Sequence, residues 1–583
     1  MGILAGTKRH IEDCVNVHYE FRDKKKENHI DPIIKPMQKL SKYFKCIITD
    51  ENSKEIIIAY RDLAFQAEMF CWNEGALDFY SEAVRLQKET RGDQGDFVHL
   101  LCKLANTYFK VNKYDDTIKC YKWAMANEQK RLGDAPKVAK IMKNIAQVHW
   151  KAKKFESSLS SYNELLQMQE MMFGQENLDV AKTYNNIGLV HHILKQFDRA
   201  MLYFFKAIRI TKDLQEKNHS FLSELYCNLG KLYCETDDYK TALITYDEAI
   251  KYGVKFTAKN DDAVARAHHG KGITLAKMND LENAISSYEK SLLITKVEIC
   301  RQPKRVAKVL QDLASVYYES QNYGQVLEKL IEVKEILNID EDQRSEQKSN
   351  IHRIIADCYE RLGNYKEAID NYQIVIDNEK NRLGDTVEVA DLLQHMGDVC
   401  VLDESKELAV KCFQEALEIR TDSDESPLEV AALRHRLGTM LSKMNEKGNA
   451  MQNMKEALRI RYEQLGEDHE LVSDTLFKMA LICKDSEEYD SALELYRKAL
   501  DIRVAQLGSS HIKVADTLYN VGIVQVKLND TKNAIVSFEE AFKTNLELGV
   551  QNRDDKLDNI VEWLSFLRNE SMLDDYSCVE VPL

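Results

Sequence analysis

Residues 183–210 read "TYNNIGLVHHILKQFDRAMLYFFKAIRI" and contain the pattern that decides the fold. Gly188 is followed twelve residues later by Ala200, and Phe204 comes four residues after the alanine. A short polar break, "KQFD", separates the glycine from the alanine. Two asparagines and a pair of histidines precede this break. The stretch is therefore either a chemical site or one copy of a repeated structural element.

The same three positions recur twelve times along the chain, at intervals of 41 or 42 residues. The first position is always glycine or alanine: Ala64, Ala105, Ala146, Gly188, Gly230, Gly272, Ala314, Ala356, Gly397, Gly438, Ala480 and Gly522. The second is mostly alanine: Ala76, Thr117, Ser158, Ala200, Ala242, Ala284, Val326, Ala368, Ala409, Ala450, Ala492 and Ala534. The third is aromatic or large and apolar: Tyr80, Tyr121, Tyr162, Phe204, Tyr246, Tyr288, Leu330, Tyr372, Phe413, Met454, Tyr496 and Phe538. We number these copies repeats 1 to 12.

Close packing of two helices explains the three positions. The polar break predicts a turn, so each repeat consists of two antiparallel helices. Where the helices cross, one must present a side chain of almost no volume, and the aromatic residue fills the space beside it. One pair cannot bury both of its apolar sides, so neighbouring pairs must stack. The sequence predicts an all-α solenoid of about twelve antiparallel helix pairs.

Composition agrees with a long helical protein. The chain has 583 residues, too many for one ordinary core, with only 22 glycines and 6 prolines and with 30% charged residues. Its net charge of −15 argues against a nucleic-acid-binding protein, which is usually basic. The N-terminal "MGILAGTKRH" lacks the layout of a signal peptide, and Gly6 stands where a myristoylation motif has serine or threonine. A run of eighteen apolar residues is missing, so we expect no membrane span.

The cysteines indicate a reducing compartment. There are 13, an odd number, and they form no CxxC motif of a zinc site. Cys227 and Cys234 are interpreted as small packing residues of one helix. The alternative, a metal site, lacks further ligands at a suitable spacing.

The repeat resembles the tetratricopeptide repeat, whose small residues, alanines and aromatics fall at the same offsets. The usual period of that family is about 34 residues. The extra length here lies between repeats, in "RLGDAPKVAK", "MFGQENLDVAK", "RLGDTVEVAD", "QLGEDHELVSD" and "QLGSSHIKVAD". This pattern of a Leu-Gly pair, a loop and a Val-Ala pair is similar to that between the repeats of kinesin light chains and nephrocystin-type proteins. The resemblance implies a right-handed superhelical array. Residues 1–50 do not sustain the heptads of a kinesin light chain, which favours a general scaffold over a motor subunit.

These patterns predict four regions. Residues 51–550 form the repeat array, and residues 1–50 form an N-terminal helical cap or linker broken by "IDPIIKP". Residues 551–570 include the amphipathic "DKLDNIVEWLSFLRNE" and form a C-terminal capping helix. Residues 571–583 form a flexible tail.

The resemblance also implies a binding surface. In tetratricopeptide proteins the first helix of each repeat lines a concave groove, and its second, fifth, sixth and ninth positions reach ligands. Those positions, with a nearby tryptophan, give Lys140, Lys143, Asn144, Gln147, Trp150, Lys182, Asn185, Asn186, Asn228, Lys231, Arg266, His269 and Lys308. His99, Cys102, Asn106 and Gln311 occupy further such positions, and Phe109, like Trp150, is expected to pocket an apolar side chain. We expect this ladder of cations and amides to bind an extended acidic peptide. An ordinary solvated face is the alternative.

Later repeats differ from the early ones. Asp391, Asp398, Asp474 and Asp516 take comparable positions, so the groove is expected to be basic in early repeats and acidic in late ones. His191 stands where other repeats have tyrosine and is interpreted as a packing residue, whereas His192 is expected to face the groove. His268 and His269 lack ligands at metal-binding spacing, so no metal site is expected.

The sequence contains no phosphate-binding loop, zinc-protease motif or nucleophile elbow. We therefore expect a non-enzyme without a cofactor. The first hypothesis is a cytoplasmic adaptor that binds acidic peptide segments of other proteins. The alternatives are an assembly component, as a homo-oligomer or in a cytoskeletal or ciliary complex, and a regulatory subunit of a partner enzyme. Nucleic acid and membrane are not expected as partners, and homo-oligomerisation remains open.

Overall fold

The computed structural model describes residues 31–48, 53–90, 94–133, 135–214, 218–256, 262–296, 302–338, 346–423, 426–547 and 555–577. These residues form 26 α-helices and no β-strand. Contacts divide the chain into two compact units, Met1–Gln302 and Pro303–Leu583. Within the described residues, no helix combines the length and the apolar composition needed to cross a membrane.

The helices of the first unit are α1 Asp31–Ile47, α2 Ser53–Met69, α3 Asn73–Glu89, α4 Gln94–Lys110, α5 Tyr114–Leu132, α6 Pro136–Lys151, α7 Phe155–Phe173, α8 Leu178–Ile193, α9 Phe197–Asp213, α10 His219–Glu235, α11 Tyr239–Phe256, α12 Asp262–Lys277 and α13 Leu281–Thr295. Those of the second unit are α14 Pro303–Glu319, α15 Tyr323–Leu337, α16 Glu346–Arg361, α17 Tyr365–Leu383, α18 Val387–Leu402, α19 Lys406–Asp422, α20 Pro427–Lys443, α21 Lys447–Leu465, α22 Glu470–Asp485, α23 Tyr489–Leu507, α24 Ile512–Lys527, α25 Thr531–Glu547 and α26 Asp555–Ser577.

The helices pack as twelve adjacent antiparallel pairs, from α2/α3 to α24/α25, with six pairs in each unit. The first helix of each pair carries the small residue of the repeat, and the second carries the alanine and the aromatic. Each second helix also packs on the first helix of the next repeat within its unit. The prediction of an all-α array of antiparallel helix pairs is confirmed.

The small residues lie where the two helices of a repeat cross. A methyl group added to Gly188 would lie 2.7 Å from the Phe204 ring, and one on Gly272 would lie 2.8 Å from the Tyr288 ring. The equivalent alanines, such as Ala105 and Ala146, are completely buried. The predicted role of these positions is therefore confirmed: the glycines face the core, against the aromatic side chain, or Met454 in repeat 10, sixteen residues later.

The turn inside every repeat contains one residue with a positive φ angle, seven residues after the small residue. These residues are Cys71, Asn112, Lys153, Lys195, Asp237, Asn279, Gln321, Gly363, Glu404, Asn445, Glu487 and Asn529. Only one of them is glycine, although the left-handed region favours glycine. The residue types therefore do not predict the positive φ angle at this position. Only its constant distance from the small residue could have indicated it.

Five of the loops between repeats begin with a glycine that ends the preceding helix. Gly133, Gly174, Gly384, Gly466 and Gly508 have φ between 66° and 83°, and each donates its amide to the carbonyl four residues earlier. These glycines belong to the five segments between repeats that are quoted in the sequence analysis. Glycine suits this position because it adopts a left-handed conformation without a steric cost.

The two ends of the array differ in detail from the sequence prediction. Helix α1 begins at Asp31, so the "IDPIIKP" segment starts a helix instead of breaking one. Proline is tolerated in the first helical turn because its missing N–H has no intrahelical acceptor there. Phe44 of α1 packs edge-on against Tyr60 of α2, with ring centroids 5.4 Å apart. Residues 1–30 of the predicted cap lie outside the described residues.

Helix α26 covers the last repeat. Ile560 and Leu567 are buried in the same cluster as Phe538, and the Trp563 ring stacks on Phe538 at 6.1 Å. The helix extends to Ser577, so its C-terminal turns occupy part of the segment 571–583 that was expected to be a tail. The regional boundaries remain a prediction.

Candidate functional site

The predicted groove residues all lie on first helices. Helices α6, α8, α10 and α12 carry twelve of the thirteen, and Lys308 is on α14 of the second unit. Side chains connect some of these helices directly: the Asn228 amide on α10 donates to the Asn185 side chain on α8 at 3.0 Å. We call the surface formed by α4, α6, α8, α10 and α12 the first-helix face.

Several amide side chains of this face already form hydrogen bonds within the protein. Asn185 is only 4% exposed and accepts the bond from Asn228. The Tyr121 hydroxyl donates to Asn106, and Asn144 donates to the same hydroxyl at 3.4 Å. These side chains connect neighbouring repeats. They have less hydrogen-bonding capacity left for a ligand than the sequence suggested.

Four of the predicted cations have an anionic partner about one helical turn away. Lys182 lies 3.4 Å from Asp179, and Arg266 lies 3.1 Å from Asp262. Lys231 lies 3.8 Å from Glu235, and Lys308 lies 2.9 Å from Asp312. These pairs are i,i+3 or i,i+4 contacts, which reduce the local positive charge without binding anything else.

Lys140 and Lys143 are different, since neither forms an ion pair with any part of the chain that the structure describes. Both lie on α6, three residues apart. Lys143 is half-buried and Lys140 is exposed. Burial raises the pKa of the neighbouring Cys102 thiol on α4 to about 11, although Lys140 opposes this rise.

Two uncharged members of the predicted set accompany these lysines. Gln147 lies one turn beyond Lys143 on α6 and is exposed, while Asn186 is half-buried on α8. Neither forms a side-chain hydrogen bond with another described residue. His99 on α4 is also exposed, whereas Gln311 lies in the second unit. The unused part of the first-helix face is therefore concentrated in repeats 3 and 4.

The expected aromatic pockets are partly filled by the repeats themselves. Trp150 is half-buried and packs edge-on against Phe155, with ring centroids 5.9 Å apart. Phe109 contacts Tyr114 in the same way, also at 5.9 Å. Each pair closes the turn inside its own repeat. His269 is likewise used in packing, 5.7 Å from the Tyr288 ring.

The histidine pair of the opening stretch is structural. His191 is buried and stacks on Tyr203 at 5.3 Å, and burial lowers its pKa. His192 is 9% exposed, and its Nε2 lies 2.7 Å from Glu235 of α10, so it links two first helices. The packing role of His191 is confirmed. Cys227 and Cys234 are also buried, in one apolar cluster.

In the late repeats, two of the predicted groove aspartates are paired with arginines. Arg420 donates to Asp391, and Arg436 donates to Asp398. Asp391 and Asp398 therefore have less charge available for a ligand than the sequence suggested, and the acidic late face stays a prediction. A buried arginine recurs eleven residues after the alanine in three successive repeats, but this spacing does not identify the side chain that each arginine contacts. These residues are Arg420, Arg461 and Arg503.

Asp474 is paired with two cationic side chains. It accepts hydrogen bonds from Arg503 at 2.7 Å and from Lys513 at 3.0 Å. Burial alone would raise the pKa of this carboxyl, but the two cationic donors hold it below its usual value. Among the described residues, no group of three or more histidine, cysteine or acidic side chains is arranged to hold a metal ion.

Comparison with family models identifies the repeat. A tetratricopeptide repeat model matches residues 96–171, 179–253, 347–422, 429–503 and 472–545, which together cover more than half of the chain. A second tetratricopeptide repeat model matches residues 265–297. A model described as anaphase-promoting complex subunit 5 matches residues 34–107. The search of curated protein sequences found no match.

Several solved structures match parts of this chain. BtubC (BKLC) from P. vanneervenii is 24% identical over 43% of this chain and 89% of its own, with a TM-score of 0.30. The TPR-like repeats of a candidate kinesin light chain from Podosopora anserina are 14% identical over 36% of this chain and 100% of their own, with a TM-score of 0.32. MamA from Desulfovibrio magneticus RS-1 is 19% identical over 36% of this chain and 99% of its own, with a TM-score of 0.28.

Proposed function

Since the chain belongs to the tetratricopeptide repeat family, we propose that it is a non-catalytic scaffold that binds an acidic, extended segment of another protein. The segment lies along the first-helix face of repeats 3 and 4. The observation that carries this proposal is the pair Lys140 and Lys143. They are the two lysines of the predicted set that have no anionic partner among the described residues.

An acidic segment suits this place for two reasons. The side chain of Lys143 is half-buried, so it loses less rotamer freedom than an exposed lysine when it pairs with a carboxylate supplied by a ligand. The amides of Gln147 and Asn186 can both donate to and accept from a peptide backbone. Two cations supported by amides therefore match an extended chain with carboxylate side chains.

The test uses acidic peptides selected against the full chain from a displayed random library. The variant Lys140→Glu/Lys143→Glu should weaken their binding at least about tenfold in fluorescence anisotropy, because two attractive charges become repulsive. The control Lys119→Glu/Lys122→Glu places the same charge change on α5, a second helix, where both lysines are exposed. Equal affinities of the two variants would reject the site, provided that thermal unfolding shows both to be folded.

A second candidate is a subunit of a larger assembly, attached through repeat 1. The match of residues 34–107 to a model of a complex subunit favours this function. Repeat 1 also has an exposed apolar face: Ile58, Phe65 and Met69 of α2 are 47%, 48% and 53% exposed. Their spacing places them on one side of the helix. An exposed row of large apolar residues is typical of a protein-binding surface.

A further inference from the structure

The second unit contains a cavity whose lining includes two of the expected groove positions, Gln311 and Asp391. Its volume is about 1060 Å³, and its walls come mainly from α14, α16 and α18, the first helices of repeats 7 to 9, with Leu330 of α15 and Tyr372 of α17. Apolar side chains form much of its lining, among them Ala314, Leu330, Ile351 and Leu392. This volume lies at the upper end of ligand-binding clefts, which hold roughly 300–1,000 Å³.

The polar part of the lining is strongly acidic. Five carboxylates and one guanidinium, a formal net charge of −4, come from Glu319, Glu346, Asp357, Glu388, Asp391 and Arg353. Two of these carboxylates are engaged. Asp357 accepts from Tyr318 at 2.5 Å and from Arg361 at 2.9 Å, and Asp391 accepts from Arg420.

The other three carboxylates, Glu319, Glu346 and Glu388, are exposed. None of them forms an ion pair with the residues that the structure describes. They belong to three successive first helices, so their charges are spread along the cavity. This arrangement is the opposite of that in repeats 3 and 4, where lysines are unopposed.

We propose that this cavity binds an extended segment of another protein in which lysine or arginine side chains flank an apolar side chain. Charge complementarity selects the basic residues, because the three unpaired carboxylates lie in succession along the cavity. The apolar lining provides the place for the central side chain, next to Ile351 and Leu392. A cavity lined by the first helices of three successive repeats offers contacts to several residues of an extended chain, more than a compact ion could use.

This inference does not depend on the proposed function. The two sites lie in different units and attract opposite charges. Loss of acidic-peptide binding at Lys140 and Lys143 would leave the cavity of repeats 7 to 9 unaffected. Conversely, failure of a basic peptide to bind would leave the first-helix face of repeats 3 and 4 as proposed.

The test uses two fluorescein-labelled dodecapeptides, one of alternating arginine and leucine and one of alternating glutamate and leucine. The full chain should bind the basic peptide more tightly. The variant Glu319→Gln/Glu346→Gln/Glu388→Gln should weaken that binding at least about tenfold, since three favourable ion pairs are lost. The control Glu407→Gln/Glu418→Gln/Glu467→Gln removes three exposed carboxylates of the same unit outside the cavity and should leave the affinity unchanged within about twofold.

A second variant tests the apolar part of the cavity. Ile354 lines the cavity and is 41% exposed, so Ile354→Ser should be compatible with folding. It should weaken binding of the arginine–leucine peptide but not of a dodecapeptide that alternates arginine and serine. Equal losses in the cavity variant and the control variant would overturn the proposal. Equal binding of the basic and acidic peptides by the unmodified chain would do the same.

Discussion

At the scale of single residues, the fold depends on the small side chain at the crossing of the two helices of each repeat. Six repeats have glycine at the crossing and six have alanine. In repeat 4 the Phe204 ring is completely buried and would lie 2.7 Å from a Cβ on Gly188. Non-bonded carbon atoms do not approach each other so closely, so the ring or the helix would have to move. Alanine is accepted elsewhere because those helix pairs are packed around it from the start.

The substitution Gly188→Ala should therefore lower stability by about 1–3 kcal/mol, the usual cost of overpacking a core. The control is Gly448→Ala in α21, where an added Cβ meets nothing within 4 Å. There the better helix propensity of alanine should raise stability by up to about 1 kcal/mol. Differential scanning calorimetry of the two variants checks the opposite signs. Changes of the same sign would show that crowding at the crossing does not govern stability.

At the scale of elements, buried polar side chains connect a second helix to the next first helix at three junctions. Arg461 donates to Thr475 at 2.6 Å, and Arg503 donates to Thr517 at 2.7 Å. Thr183 donates to Gln169 at 2.6 Å across the same spacing of fourteen residues. These buried bonds are specific to the junction, since an unsatisfied partner would cost free energy there.

The junction between α22, α23 and α24 should make stability depend on pH. The pKa of Asp474 is lowered in the folded state, because Lys513 and Arg503 overcome the effect of burial. A lowered folded pKa stabilises the protein above the unfolded value of about 4, and this contribution disappears as pH falls through the folded pKa. At pH 7 the variant Asp474→Asn should be destabilised by about 1–2 kcal/mol.

The difference between the unmodified chain and Asp474→Asn should narrow below about pH 4, as the native carboxyl takes up its proton. Urea unfolding at pH 7 and pH 3 measures this change. Asp501→Asn is the matched control, because Asp501 is exposed on α23 and forms no ion pair with a described residue. A constant difference across this pH range would contradict the predicted role of Asp474.

At the scale of the whole molecule, a repeat array offers many separate surfaces. Each repeat contacts mainly its neighbours, so a surface on one repeat can bind a partner without rearranging distant repeats. The exposed Ile58, Phe65 and Met69 of repeat 1 are far in sequence from the lysines of repeat 3 and from the acidic cavity. The chain therefore has room for assembly contacts in addition to peptide binding.

The variant Ile58→Ser/Phe65→Ser/Met69→Ser tests the assembly function. In extracts of cells that express the tagged chain, size-exclusion chromatography should place the unmodified protein in a complex larger than one chain. The variant should elute as a single chain, because the apolar contact is lost. The control Leu202→Ser/Ile244→Ser removes exposed apolar residues from other repeats and should leave the complex intact. Elution of the unmodified protein as a single chain would exclude this attachment.

Only part of the candidate site could be inferred from sequence. The first-helix positions of Lys140 and Lys143 followed from the resemblance, and the structure places both on α6. Their lack of an anionic partner did not follow, nor did the pairing of Asp391 with Arg420, which lies 29 residues away. A linear pattern shows which side chains share a helix face. Pairing depends on rotamers and on which neighbouring helix comes within about 3 Å, distances that periodicity does not contain.

The sequence by itself determined the repeat: its period, its two helices and the small residue that lets them meet. These features are encoded locally, since Gly188 and Phe204 are only sixteen residues apart. The same spacing between a small and a large residue occurs in every repeat. Only the tertiary structure decided which charges are neutralised and where a cavity opens. The neutralised charges and the cavity both depend on contacts between repeats. There, small differences in side-chain length decide which of several energetically similar contacts forms.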